Sequence, residues 1–211
     1  MAPVRIFPMD PAALHLAISD LVAGLSPHDE LAHQHRQATL AWLSSTGDIF
    51  RRAKPATPSP HLVSYFLLID RAAARVLLCD HRLARLWLPT GGHVEPGEHP
   101  YDAVQRECQE ELGISAVPDP AYGASPFFLT VTETKDVAER RHTDVSLWFA
   151  LSGQTSQSLQ ADEREFAEVR WWSEAEIKAA SPELFDPHMG RALEVLQLSA
   201  GGRPPGTRRY V

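Results

Sequence analysis

The chain has 211 residues, a length that fits one domain of average size plus an appendage. Its 44% hydrophobic and 22% charged residues are those of a folded globular chain and exclude a disordered one. With 27 acidic against 20 basic residues the formal charge is −7, which excludes a broad cationic face for nucleic acid duplexes or anionic membranes and suits a bound cation.

Residues 1–53 read as a helical extension. Asp10 is placed to cap a helix with Pro11 at its first position, and Leu14, Ala17, Ile18, Leu21 and Leu25 recur at helical spacing. Ser26-Pro27 predicts the start of a second helix, with Leu31, His35, Ala38 and Trp42 on one stripe, and Gly47 ends the region. Both stripes need cover, from the following domain or from a second copy of the chain in a homodimer. Residues 54–60, KPATPSP, hold three prolines in seven positions and no apolar periodicity, the mark of a linker.

From 61 to 200 the pattern changes. His61–Asp70 reads as a buried strand and 75–80 as its neighbour; Leu86, Trp87 and Leu88 lead through a short strand into a turn at Gly91-Gly92. Pro100 opens a helix, and 127–133, 144–151 and 168–172 are strand-like. Ser173 and Asp186-Pro187 cap two closing helices, and 201–211, rich in Gly, Pro and Arg, reads as a flexible tail. Strands and helices without regular alternation predict an α/β (α+β) domain, a mixed sheet flanked by helices. Cys79 and Cys108 are too few for a disulfide framework or a thiolate zinc cluster, and they fit a reducing, cytoplasmic compartment. Asp10, His15 and Asp20 interrupt any signal-peptide core, and no apolar run approaches the roughly 20 residues of a membrane span.

Residues 92–114 read GHVEPGEHPYDAVQRECQEELGI. On a helix from 100 to 112, Glu107, Glu110 and Glu111 stand at i, i+3 and i+4 and share a face. Tyr101, Val104, Cys108 and Leu112 form a separate apolar stripe, and Ala103 leaves room for a ligand one turn before the carboxylates. Exposed, such like charges cost only a few tenths of a kcal/mol. Partly enclosed, two carboxylates about 6 Å apart repel by roughly 3 kcal/mol at an effective dielectric of 20, which magnesium or manganese would relieve. The helix alone leaves a solvated acidic face and a metal site both open.

The surrounding residues separate the two. The stretch resembles the signature of the Nudix hydrolases, with Gly92, Glu98, Arg106, Glu107, Cys108, Glu110, Glu111, Gly113 and Ile114 at the motif positions. Seven fixed residues at roughly 6% usage, with two looser ones, match by chance in a chain of this length with odds below about one in ten million. Cys108 replaces the usual aliphatic residue, and Thr90 stands where another glycine is common. The resemblance implies that Glu107 and Glu111 bind Mg2+ or Mn2+ directly, Glu110 directly or through water, and the Gly92 carbonyl as a further ligand. It implies that Glu98 and Arg106 pair to orient the carboxylates. The implied reaction is hydrolysis of a pyrophosphate bond in a nucleoside di- or triphosphate derivative, a small-molecule nucleotide.

Enzymes of this kind often draw one more glutamate from a distant loop, and Glu163, Glu165 and Glu168, with Glu139 behind them, are the candidates. For substrate binding the candidates are Arg140, Arg141 and His93. Trp171 and Trp172 point to opposite faces of a strand, leaving one for base stacking. His33 and His35 lie about 200° apart on a helix and cannot chelate one ion, so no histidine metal site is expected. The added signatures of NADH, coenzyme A, ADP-ribose and dinucleoside polyphosphate enzymes are absent, which leaves a nucleoside triphosphate or another nucleotide conjugate. Two rival readings share the fold. One is a non-catalytic module that senses or binds a nucleotide metabolite, in which the motif is often eroded, whereas here it is intact. The other is an isopentenyl diphosphate isomerase, which needs a catalytic cysteine in a separate upstream motif.

Overall fold

The computed structural model describes residues 10–54, 57–134 and 141–198. The expected tail at 201–211 lies outside the described residues. Helix α1 (Pro11–Gly24) starts where Asp10 accepts from Ala13 N–H, and it buries Leu14, Ile18 and Val22. Helix α2 (Glu30–Ser45) starts later than the Ser26-Pro27 expectation, because Asp29 is the residue whose carboxylate accepts a helical N–H, from Ala32 at 2.6 Å. Arg191 holds that same carboxylate at 2.7 and 2.8 Å, which fixes the cap to the far end of the chain. The buried positions of α2 are accordingly Ala32, Thr39 and Leu43; Leu31 is exposed, and His35 and Trp42 lie only at the flank.

The strands are β1 (His61–Asp70), β2 (Arg75–His81), β3 (Leu86–Leu88), β4 (Thr90–His93), β5 (Phe128–Glu133), β6 (Thr143–Ser152) and β7 (Phe166–Ser173). Among the described residues they form one mixed sheet ordered β3-β2-β1-β6-β5, with β4 added to β1 and β7 to β2. Only β1 and β6 run parallel; the other pairs are antiparallel. The Gly91-Gly92 pair expected as a turn lies in β4, Gly91 opposite Tyr65 and Gly92 opposite Ser64. Gly91 has φ +131, and a Cβ there would overlap the Ser64 carbonyl, so glycine is what lets β4 close on β1.

Helix α3 (Pro100–Leu112) follows β4; α4 (Glu174–Ala179) and α5 (Met189–Leu196) close the chain. Ser173 and Glu176 form a reciprocal capping box for α4, whereas α5 starts later than the Asp186-Pro187 expectation, with His188 as its N-cap and Asp186 accepting from His188 N–H ahead of it. One face of the sheet carries α1, α2 and α3 through Ile18, Leu43, Val104 and Leu112, and the other carries α4 and α5 through Ile177, Ala192 and Leu193. The first two helices thus share the core of the sheet. Removing residues 1–50 should strip Leu62 and Leu129 of cover and cause aggregation, read by light scattering and size-exclusion chromatography. A truncated chain that stays soluble and monomeric would show this cover to be dispensable. No helix among the described residues is long and apolar enough to cross a membrane.

Candidate active site

His99 accepts from Tyr101 N–H and Pro100 occupies the first turn, so α3 begins sharply; Gly113, left-handed at φ 68, ends it. Tyr101, Val104, Cys108 and Leu112 pack on the sheet as their stripe requires. Ala103 joins them at 0% exposure, in the core rather than beside a ligand, since it faces the sheet one turn before Glu107. Glu107 and Glu111 are one helical turn apart and both line a cavity of about 490 Å³. Glu111 is 6% exposed, and its Oε2 accepts from Gly91 N–H at 2.8 Å. A Cβ at Gly92 would overlap the Glu107 carboxylate, so this glycine lets the carboxylate lie directly against β4.

Arg106 is the hub of the loop between β4 and α3. Its Nε and one terminal nitrogen donate to the two Glu98 oxygens at 2.9 and 3.0 Å, and other donors reach Glu107 at 2.6 Å and the His93 carbonyl at 3.1 Å. These carboxylates hold the guanidinium well above its ordinary pKa, with Glu98 the largest contributor. Burial pushes Glu111 up to about 9, with Glu107, Glu165 and Asp162 adding repulsion against the single bond from Gly91. Burial also raises Glu107, against the pull of Arg106. A buried, oxygen-only pair that resists ionisation fits a hard divalent cation, which would supply the missing positive charge.

The remaining candidates divide. Glu110 is exposed, 3.4 Å from Arg106, and does not line the cavity. Glu163, Glu165 and Glu168 are all exposed, and of the three Glu165 lines the cavity. His93 lines it; burial, then Arg51, keeps its imidazole neutral with a pKa pushed down to about 2. Arg141 is exposed outside the cavity, and Glu139 and Arg140 lie outside the described residues. Trp171 and Trp172 lie on opposite faces of the sheet, Trp171 partly buried and Trp172 buried, and neither lines the cavity.

Sequence reasoning missed Arg51 and Lys54, which the segment after α2 brings to the cavity wall, and Asp144 from β6. It also missed that His61, His93, His142 and Asp144 converge, their ligand atoms all within 4.8 Å of one another. The alternation His142-Thr143-Asp144 was the one visible signal, since residues two apart on a strand share a face.

The family model described as NUDIX domain matches residues 60–196. The chain is 34% identical over 110 residues to isopentenyl-diphosphate Delta-isomerase of Brevibacterium linens, covering 50% of this chain and 57% of that protein. It is 30% identical over 129 residues to Nudix hydrolase 19, chloroplastic, of Arabidopsis thaliana, covering 60% of this chain and 28% of that protein. The chain thus spans little more than half of the first relative and about a quarter of the second. The MutT protein of Methanosarcina mazei Go1 has the same fold, with a TM-score of 0.50 and 21% identity over 63% of this chain and 89% of that one.

Proposed function

This chain belongs to the Nudix family, and on that premise we propose that it is a hydrolase dependent on Mg2+ or Mn2+ that cleaves a pyrophosphate bond in a nucleoside di- or triphosphate derivative. The observation that carries the proposal is the pairing of Glu107 with the buried Glu111 in the wall of one cavity. Glu107 and Glu111 would hold the divalent ion with the Gly92 carbonyl, and Glu110, from its exposed position, would reach it through water. A bound ion of this kind neutralises phosphate oxygens and lowers the pKa of the attacking water. Arg106 and Glu98 are positioning residues that fix the direction of Glu107. Glu165, in the wall of the same cavity, would be the additional carboxylate that takes a proton from water.

Arg51 would bind substrate phosphate. Its half-buried guanidinium lines the cavity, and burial lowers its pKa against the pull of Asp144 and Glu107. A charged hydrogen bond contributes about 1.5–3 kcal/mol, so Arg51→Ala should raise KM roughly ten- to a hundredfold with a smaller change in kcat. Steady-state kinetics at low salt check this, and an unchanged KM removes Arg51 from the site.

The isomerase reading finds no support in the thiols. Cys79 and Cys108 are both fully buried and neither lines the cavity. Burial raises both, Cys108 to about 12, so neither is a reactive thiolate. A panel of nucleoside triphosphates and nucleotide conjugates with magnesium, read by phosphate release and product chromatography, tests the hydrolase. Tight binding without turnover across the panel would favour a sensor of nucleotide metabolites instead.

A further inference from the structure

We propose that His61, His93, His142 and Asp144 form a second metal centre, for a borderline transition-metal ion such as Zn2+, distinct from the carboxylate pair of α3. Three neighbouring strands build it. β4 and β6 flank β1; His61 stands opposite Asp144 in the parallel pair, and His93 ends the antiparallel pair opposite Val63. His142, two residues before Asp144, falls on the same side. The four ligand atoms lie within 4.8 Å of one another. Ligands about 2.1 Å from one tetrahedral ion are about 3.4 Å apart, so the widest pair must close by somewhat more than about 1 Å, a shift within reach of rotation about the side-chain torsions.

The hydrogen-bonding pattern points to a cation. His61 is fully buried, and its Nδ1 lies 2.6 Å from the Pro58 carbonyl, which can only accept. Nδ1 therefore carries the proton, and in the neutral ring Nε2 presents a bare lone pair, the tautomer that metal-bound histidines hold. That lone pair faces another acceptor, Asp144 Oδ1, at 3.1 Å. The approach is off the line of a hydrogen bond, and His61 Nε2, His93 Nε2 and Asp144 Oδ1 are all buried without a hydrogen-bond partner. Groups aimed at one another would bond; groups aimed at a common point between them do not. Orphaned buried polar atoms are costly, and a shared ion satisfies all of them at once. His142 Nε2 approaches the same Asp144 oxygen at 3.3 Å, and its ring stacks on His61 at 4.9 Å. Imidazoles select zinc and its neighbours over magnesium, which separates this centre chemically from the carboxylates. His93 and Asp144 line the cavity, so the ion is reached from the same space as the substrate.

Binding can be measured without substrate, so the outcome is independent of the hydrolase proposal. The full untagged chain, stripped with a chelator, is titrated with Zn2+ by calorimetry, and the histidine ring nitrogens are followed by ¹⁵N NMR. Wild type and the double variant Glu107→Gln, Glu111→Gln should each bind one Zn2+ at this centre, and three imidazole resonances should move. His93→Gln and Asp144→Asn should each weaken that binding at least ten- to a hundredfold. Circular dichroism checks their folding; if His93→Gln unfolds, the isosteric Asp144→Asn carries the comparison. Zn2+ binding that is lost in the double glutamate variant but kept in Asp144→Asn overturns the proposal. So does a wild-type titration with no heat and unmoved imidazole signals.

Discussion

Glu111→Gln should lower turnover by at least about 10²–10³-fold, the loss seen when one strong transition-state stabiliser is removed. Glutamine keeps the size of the side chain and can still accept from Gly91 N–H, so only the charge is lost. Stability should move the other way. In metal-free protein the Glu111 carboxyl has a pKa of about 9, raised from 4.5 by burial and then by Glu107. Between those values the folded protein holds a proton that the unfolded chain has released. Stability therefore falls as pH rises through that window, and the extra stability is complete below the unfolded value. The upward shift of Glu107 acts in the same direction. Urea unfolding with chelator at pH 5 and pH 8 should show this loss in wild type and a flatter profile in Glu111→Gln. Lys178→Ala, at an exposed ion pair on α4, is the control. Glu176 cannot serve as one, because it caps α4 and binds Arg75 and Arg170. Near-normal turnover of Glu111→Gln at limiting magnesium would remove Glu111 from the metal.

The adjacent glycines should fail in different ways. At Gly91 a methyl group meets the backbone of β1 and the residue must hold φ +131. Overpacking costs about 1–3 kcal/mol and a strained backbone about as much again, so Gly91→Ala should lose about 3 kcal/mol or more in urea unfolding. At Gly92 the methyl group meets the Glu107 carboxylate, the far end of a flexible side chain that can swing aside. Gly92→Ala should therefore keep most of its stability while turnover falls about 10²-fold, as expected when a reacting group is displaced by about 1 Å. Parallel unfolding and kinetic measurements separate the two. Equal stability losses would mean that Glu107 is not what Gly92 accommodates.

Much of this molecule is written locally. The strand 61–70, the helix opened by Pro100 and closed at Gly113, and the Ser173 cap depend on residues within about four positions of one another, which a linear pattern displays. The spacing of Glu98, Arg106, Glu107 and Glu111 is local in the same sense, because one helix and one loop carry all four. Where competing local signals lay close together, the pattern was less decisive. Asp29 rather than Ser26-Pro27 starts α2, because its carboxylate caps Ala32 N–H while Arg191, 162 residues away, also binds it. Gly91-Gly92 has the composition of a turn, yet it is a strand because β1 offers it a backbone to pair with. Tertiary structure alone brought Glu165 to the cavity wall and not Glu163 or Glu168, left Glu110 in solvent and carried Arg51 to the cavity. It alone gathered His61, His93, His142 and Asp144 from three strands. Strand register between distant segments is set by the burial of whole faces and by backbone pairing, so it leaves no periodic trace at any one histidine, and a constellation assembled by register becomes visible only in the folded sheet.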